Sequence, residues 1–415
     1  MAFLSQFAVV VLVTSGILGV AGQNICLVVA LVAAIACRLL SYPSVRPWWR
    51  RLAIRVSMPA NRILFLASVF LLVISTAIMI RPWTKPMAWI VEPFGFGSII
   101  WCPLVCLWCR SVWKSSAFSA WFPKWAAVVV GIWAAICLSQ AIWGWHFVHS
   151  QLTFGSTRAN GLMSHPLSAA YAVLIVWPWA KNAAFKVPRS AWTWIAFLGA
   201  FAVVWTTESR TVQGICLASL LISVFTRLRG RTRLLVSAVV AACILVAVTI
   251  DSPVARKIQH TLSASEDRQQ NLYADDRVAF WHANFLLFLD HPILGLGQTY
   301  PGEMLDEKYD AIGLKTFEKK YGAHNMYLST LVHEGILGLL VLLLWYIFVT
   351  RTMRKSVTTE GSRLSFAASS ASEAMILLAI GGMTQNAIQD SAVRYVLGIS
   401  IGIWLSLREA DSLTI

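Results

Sequence analysis

Carboxylates are nearly missing from the first 250 residues, which hold only Glu92 and Glu208. That scarcity excludes, for this part of the chain, a carboxylate cluster of the kind that holds Mg²⁺ or Mn²⁺. Charge of either sign is sparse: 13% of the 415 residues are charged and 58% are hydrophobic, which is far from the balance of a soluble domain. No basic residue precedes Arg38, so the first apolar run lacks the charged leader of a cleaved signal peptide and is expected to remain as a span. The eight cysteines all fall in or beside apolar runs, which gives no extracellular disulfide framework. Cys102, Cys106 and Cys109 share one helical face with no histidine or carboxylate near them, so packing is expected there rather than a metal.

What the sequence does have is apolar length. Crossing about 30 Å of hydrocarbon takes about 17 to 25 residues, and such runs fall near 6–22, 24–41, 62–80, 92–109, 125–147, 162–180, 191–207, 212–226, 233–250, 325–350, 368–388 and 391–407. The eighth is short. The expected fold is an all-α polytopic membrane protein of about twelve transmembrane helices with one long helical outer loop. Residues 1–250 would carry helices one to nine, 251–323 the loop with its amphipathic helices, and 324–415 helices ten to twelve.

Alternate connections differ in charge. Those after the even-numbered runs up to the tenth hold twenty Lys and Arg; the opposite short ones hold five, namely Arg81, Lys85, Arg158, Arg210 and Arg394. By the positive-inside rule both termini are cytoplasmic and the 251–323 connection faces outward. In that connection eleven acids outnumber eight basic residues. The net charge of +15 therefore orients the chain and speaks against a nucleic-acid partner. Trp83, Trp89, Trp143 and Trp145 lie near expected helix ends, where indole rings anchor at lipid headgroups.

The long loop is the stretch with chemistry. It opens into DDRVAFWHANFLLFLDHPILGLG (275–297) and closes with AHNMYLSTLVHEGILGLL (323–340). Asp275 and Asp276 suit a helix start, and Phe280, Trp281, Phe285, Leu286 and Leu289 recur at amphipathic helical spacing. His291–Pro292 ends that helix and Gly295 and Gly297 form a turn. His324 stands beside Asn325, a suitable N-cap for the apolar helix that follows, and is placed to accept a proton.

Four arginines remain on the nearly uncharged outer side. Arg277 is in the loop, Arg210 in the tight turn WTTESRTVQG with Glu208 beside it, Arg158 in STRANGLMSHP, and Arg81 just after a helix end. A charge deeper than the bilayer boundary would cost at least about 2.5 kcal/mol. Taken singly, Arg81 and Arg158 read as side chains reaching for headgroups, Arg277 as a solvated residue or one paired with Asp275 or Asp276, and the histidine as a cap; Arg210 reads as functional, with Glu208 to orient its guanidinium. Converging, they make a site for a lipid diphosphate, because guanidinium binds phosphate oxygens bidentately and stays charged. His282 is a weaker candidate; His146 and His149 read as interfacial, His165 and His291 as turn residues before proline, and His333 as a residue two turns into the tenth expected helix beside Glu334. Asp306 and Glu307 read as a solvated face, and no metal or cofactor is expected.

With these residues in place, the chain resembles the O-antigen ligase and polymerase superfamily of bacterial envelope glycosyltransferases, and most of all its O-antigen ligases. Arg210 in ESRT, the opening and the closing of the outer loop, and STRANGLMSHPLSAAY carry the likeness; Leu167 departs from the Asn common in relatives. The resemblance implies a GT-C-type enzyme of the bacterial inner membrane with its active site facing the periplasm. It would move a glycan from undecaprenyl diphosphate to the lipid A core, without metal and with inversion. Carried over by position, Arg210 and Arg277 bind the diphosphate, with Arg158 and Arg81 as further candidates, and His324 is the base. An O-antigen polymerase or a protein O-oligosaccharyltransferase fits the same motifs. A lipid-linked glycan transporter fits the span count, and is opposed by spans almost free of charge.

Overall fold

The computed structural model describes residues 2–18, 20–40, 57–81, 96–144, 158–227, 276–298, 300–314, 322–357 and 362–412. Among them are thirteen α-helices and no strand. They are α1 (Ala2–Thr14), α2 (Val20–Leu40), α3 (Met58–Met79), α4 (Ser98–Trp108), α5 (Ser116–Trp143), α6 (Pro166–Lys186), α7 (Ala191–Thr206), α8 (Arg210–Arg227), α9 (Asp276–Asp290), α10 (Gly302–Ala311), α11 (Met326–Lys355), α12 (Arg363–Gly381) and α13 (Ser391–Ser412). Five stretches, within α2, α3, α5, α11 and α12, are long and apolar enough to cross a membrane. Eleven of the expected spans coincide with a helix. The run at 233–250, the loop segment 251–275 with Asp275, and Trp83, Trp89 and Trp145 lie outside the described residues.

Helix pairs pack through small residues, as expected where lipid removes the hydrophobic drive between spans. Gly398 and Gly402 of α13 face Ser98, Cys102 and Cys106 of α4, at a separation no side chain would allow. That contact, with α7 packed on α5 and α6, and α12 on α6, builds one core. Cys102 and Cys106 are wholly buried in it.

The spans carry more charge than expected. Lys181, read from hydropathy as a cytoplasmic loop residue, sits inside α6 and is 0% exposed, ion-paired to Glu373 of α12. Glu334 and Arg394 are also buried. A window average ends a span at its first charge; it does not register a partner 192 residues away.

The α9–α10 segment is tied to the bundle by a clasp between HPILGLG and α11. Helix α11 breaks at Gly335 (φ 66, ψ −168), which strands backbone groups that must be satisfied. The HPILGLG segment satisfies them. Ile336 and Leu337 N–H donate to the carbonyls of Pro292 (2.8 Å) and Ile293 (3.3 Å), and Leu296 and Gly297 N–H donate to Val332 (2.8 Å) and His333 (2.9 Å). A small second core of Ala279, Phe280, Leu287, Leu305, Tyr309 and Val332 locks α9 and α10 onto this junction. Helix α9 departs from the one-sided pattern expected of it. Ala279, Phe280, Ala283 and Leu287 face inward, while Val278, Trp281, Phe285 and Leu289 form an exposed apolar stripe at helical spacing. Such a stripe suits a helix lying at a lipid boundary rather than in water.

Candidate active site

The connection between α12 and α13 is the hub of the site. Helix α12 stops at Gly381, seven residues before the end of the expected span, and Thr384, Gln385 and Asp390 follow in the turn. His324 comes to this turn from the other side. Its ring Nδ1 lies 3.1 Å from Gln385 Oε1. With that oxygen as acceptor, Nδ1 carries the proton and Nε2 the lone pair. The backbone at His324 is left-handed (φ 44), a conformation that side chains other than Gly, Asn and Asp rarely adopt. Next to it, Asn325 caps α11 by accepting from Tyr327 N–H (2.9 Å) and Leu328 N–H (3.1 Å), as its position before an apolar run predicts. Met326 N–H donates to Gly382 O (2.6 Å) and the Tyr327 hydroxyl to Ala379 O (2.7 Å).

Arg277 arrives on α9. The Phe280 ring, one turn along, lies 5.5 Å from the His324 ring, so the helix start and the imidazole are held side by side. Arg277 is exposed, and its guanidinium acts electrostatically on the Tyr171 phenol. Tyr171 itself donates to Gly381 O (3.0 Å) and lies 3.0 Å from the Thr384 hydroxyl.

Arg158 and Arg210 come to the same end of the bundle on neighbouring segments. Arg158 Nε donates to Thr207 O (2.9 Å) and Ala159 N–H to Thr206 O (2.9 Å), which fastens the segment before α6 to the α7–α8 turn. That turn is three residues long, as expected, with Glu208 left-handed (φ 51). Arg210 follows it as the first residue of α8 and is exposed. Further along α8, Ile215 faces Gly381 beside Tyr171.

His165, set aside as a turn residue, belongs to this group. It caps α6, its Nδ1 accepting from Leu167 N–H (3.0 Å). Burial and then Arg158 hold its imidazole below the usual range; Asp390 opposes them and His324 adds to them. Asp390 caps α13 through Ala392 N–H (2.9 Å) and accepts from the Ser168 hydroxyl. Arg81 stands apart from these contacts. Its guanidinium donates to Gly295 O in the clasp, and its charge, after burial, lowers the nearby His291.

The structure therefore gathers His324, Arg277 and Arg158 around residues 381–390, brings in Arg210 at the adjoining turn, and places Arg81 on the clasp. Gln385, Asp390 and His165 were not singled out from sequence. Gln385 lay inside an expected span, and the cap signal at His165 was obscured by the proline that follows.

A polytopic helical membrane protein that collects guanidinium and imidazole groups at one end of its bundle is the class the fold and site define. Within that class, residues 194–343 match the O-antigen ligase family model, and over that stretch the chain is similar to the O-antigen ligase superfamily. Arg210, Arg277 and His324 fall inside the matched stretch; Arg81 and Arg158 precede it. No curated protein matches the chain.

Proposed function

We propose that the protein is an O-antigen ligase, joining a glycan carried on undecaprenyl diphosphate to the lipid A core in the outer leaflet of the bacterial inner membrane. The observation that carries the reading is His324, fixed by Gln385 and Phe280 beside the helix start that bears Arg277. His324 Nε2 takes the proton from the acceptor hydroxyl as that oxygen attacks the anomeric carbon. A positioned base of this kind contributes about 10²- to 10⁴-fold. The bond from sugar to diphosphate breaks on the opposite face, which inverts the centre. Arg277, Arg210 and Arg158 meet the charge that builds on the leaving diphosphate, each fixed donor contributing about 3 to 4 kcal/mol. Arg81 supports the clasp and with it the loop.

In this reading both termini are cytoplasmic, residues 251–323 form the periplasmic loop between the spans of 1–250 and 324–415, and the fold is of the GT-C type. Glycan transfer in proteoliposomes containing purified protein, lipid-linked donor and lipid A core tests it. Arg277→Ala and His324→Ala are each expected to lose at least about 100-fold in transfer. Parent-level transfer by both would end the catalytic reading. Deletion in cells separates the polymerase alternative: loss of a ligase leaves core undecorated while polymerised donor accumulates, whereas loss of a polymerase leaves core bearing a single repeat.

A further inference from the structure

Nothing in the superfamily match assigns a role to the α12–α13 connection, which lies outside residues 194–343. Three hydrogen bonds nevertheless run to the end of α12 and the start of this connection from the four residues that begin with the candidate base. They are Met326 N–H to Gly382 O, the Tyr327 hydroxyl to Ala379 O, and His324 Nδ1 to Gln385 Oε1 at 3.1 Å. The first two fix the backbone. The third fixes the ring, and it does so on a residue whose own backbone is held in the left-handed region.

The geometry points to Gln385 as the positioning residue of the transfer reaction: its side-chain oxygen holds the His324 proton on Nδ1 and so keeps Nε2 as the proton-accepting atom. This inference rests on the proposed glycosyl transfer and adds to it the device that sets the tautomer. The device is neutral. A carboxylate in the same place would fix the ring equally well but would also stabilise the imidazolium. An amide fixes orientation and tautomer without that electrostatic pull. The choice matters because titratable and charged groups come to the same end of the bundle: Arg277 three residues before the Phe280 that packs on His324, and Arg158, Asp390 and His324 itself, all of which act electrostatically on His165. Asp390 is occupied by the α13 cap and by Ser168.

Two substitutions separate this role from simple packing. Gln385→Leu keeps the size and removes the acceptor; Gln385→Glu keeps the shape and the acceptor and adds charge. In the proteoliposome assay, Gln385→Leu is expected to lower kcat at least about tenfold, with KM for the donor changed less than about twofold. Gln385→Glu is expected to restore most of kcat at high pH. It should also move the acid limb of the pH–rate profile upward by about one pH unit, because the imidazole stays protonated to higher pH beside a carboxylate. A merely structural glutamine would leave that limb where the parent has it.

Parent-level kcat in Gln385→Leu, or an unmoved acid limb in Gln385→Glu, overturns the inference. Should Gln385→Leu fail to fold, the isosteric Glu variant decides alone through its pH profile. His324→Ala in the same series tells the two failures apart. If it transfers as well as the parent, the catalytic reading itself falls; if it is inactive while the Gln385 variants match the parent, only the role of Gln385 falls.

Discussion

At the scale of single residues, the cost of the site is visible in the backbone of His324. A left-handed conformation at a residue with a Cβ costs about 1 to 2 kcal/mol, and here it falls on the imidazole that faces Gln385. Asparagine tolerates that conformation far better than other side chains. His324→Asn is therefore expected to fold at least as well as the parent, by up to about 1 kcal/mol, while its transfer falls by at least about 100-fold. Thermal unfolding in detergent together with the transfer assay checks both halves. A clear drop in unfolding temperature would mean that the ring's packing on Phe280 outweighs the strain. The cap at Asn325 was legible, since a polar residue before an apolar run is a local signal. The left-handed turn before it was not, because no residue in AHN demands it and only the pull of the 379–385 segment explains it.

At the scale of elements, the clasp decides whether α9 and α10 are anchored to the bundle. A Cβ on Gly335 would overlap the Ile293 carbonyl, and one on Gly295 would overlap the backbone at His333. Both glycines have positive φ. Strain and overlap together put the expected cost of Gly335→Ala or Gly295→Ala above about 3 kcal/mol, seen as a lower unfolding temperature and weaker transfer. Gly214 of α8 provides the control. A Cβ there meets nothing within 4 Å, and Gly214→Ala in a helix is expected to be neutral or stabilising by up to about 1 kcal/mol. The turn glycines at 295 and 297 were readable from HPILGLG. Gly335 was not, because one glycine inside an apolar run looks like ordinary helix, and the break appears only when the backbone it meets at Pro292 and Ile293 is seen. The same limit hid the second face of α9: spacing marks apolar positions, but what lies against each of them is a property of the assembled bundle.

At the scale of the whole molecule, the site end of the bundle rests on a lock about 20 Å away along α6, the rise of 13 residues from Ser168 to Lys181. Lys181 Nζ pairs with Glu373 and donates to the hydroxyls of Ser219 (2.9 Å) and Ser223 (2.6 Å). The Ser219 hydroxyl donates to Glu373 in turn (2.7 Å), and Asn182 donates to its second oxygen (3.2 Å). Three helices, α6, α8 and α12, are thereby joined, and each also carries part of the candidate site: His165 ahead of α6, Arg210 on α8, and the Gln385 turn after α12. Hydropathy could not show this, because it assigned Lys181 to a loop and gave Glu373 no partner.

Removing one member of a buried pair strands the other, at a cost of about 3 to 5 kcal/mol, whereas replacing both with apolar residues is often close to neutral. Lys181→Met and Glu373→Leu are each expected to lower the unfolding temperature sharply. The double variant is expected to recover much of the loss, because neither charge is then left alone in the bundle. If the lock acts only by holding the three helices together, the double variant should also keep transfer activity within about threefold of the parent, since no reacting atom is near it. A double variant that is as stable as the parent yet inactive would show instead that the pair sets the spacing of α6, α8 and α12 closely enough for the arginines and His324 to depend on it. Measuring stability and transfer on the same four proteins distinguishes the two.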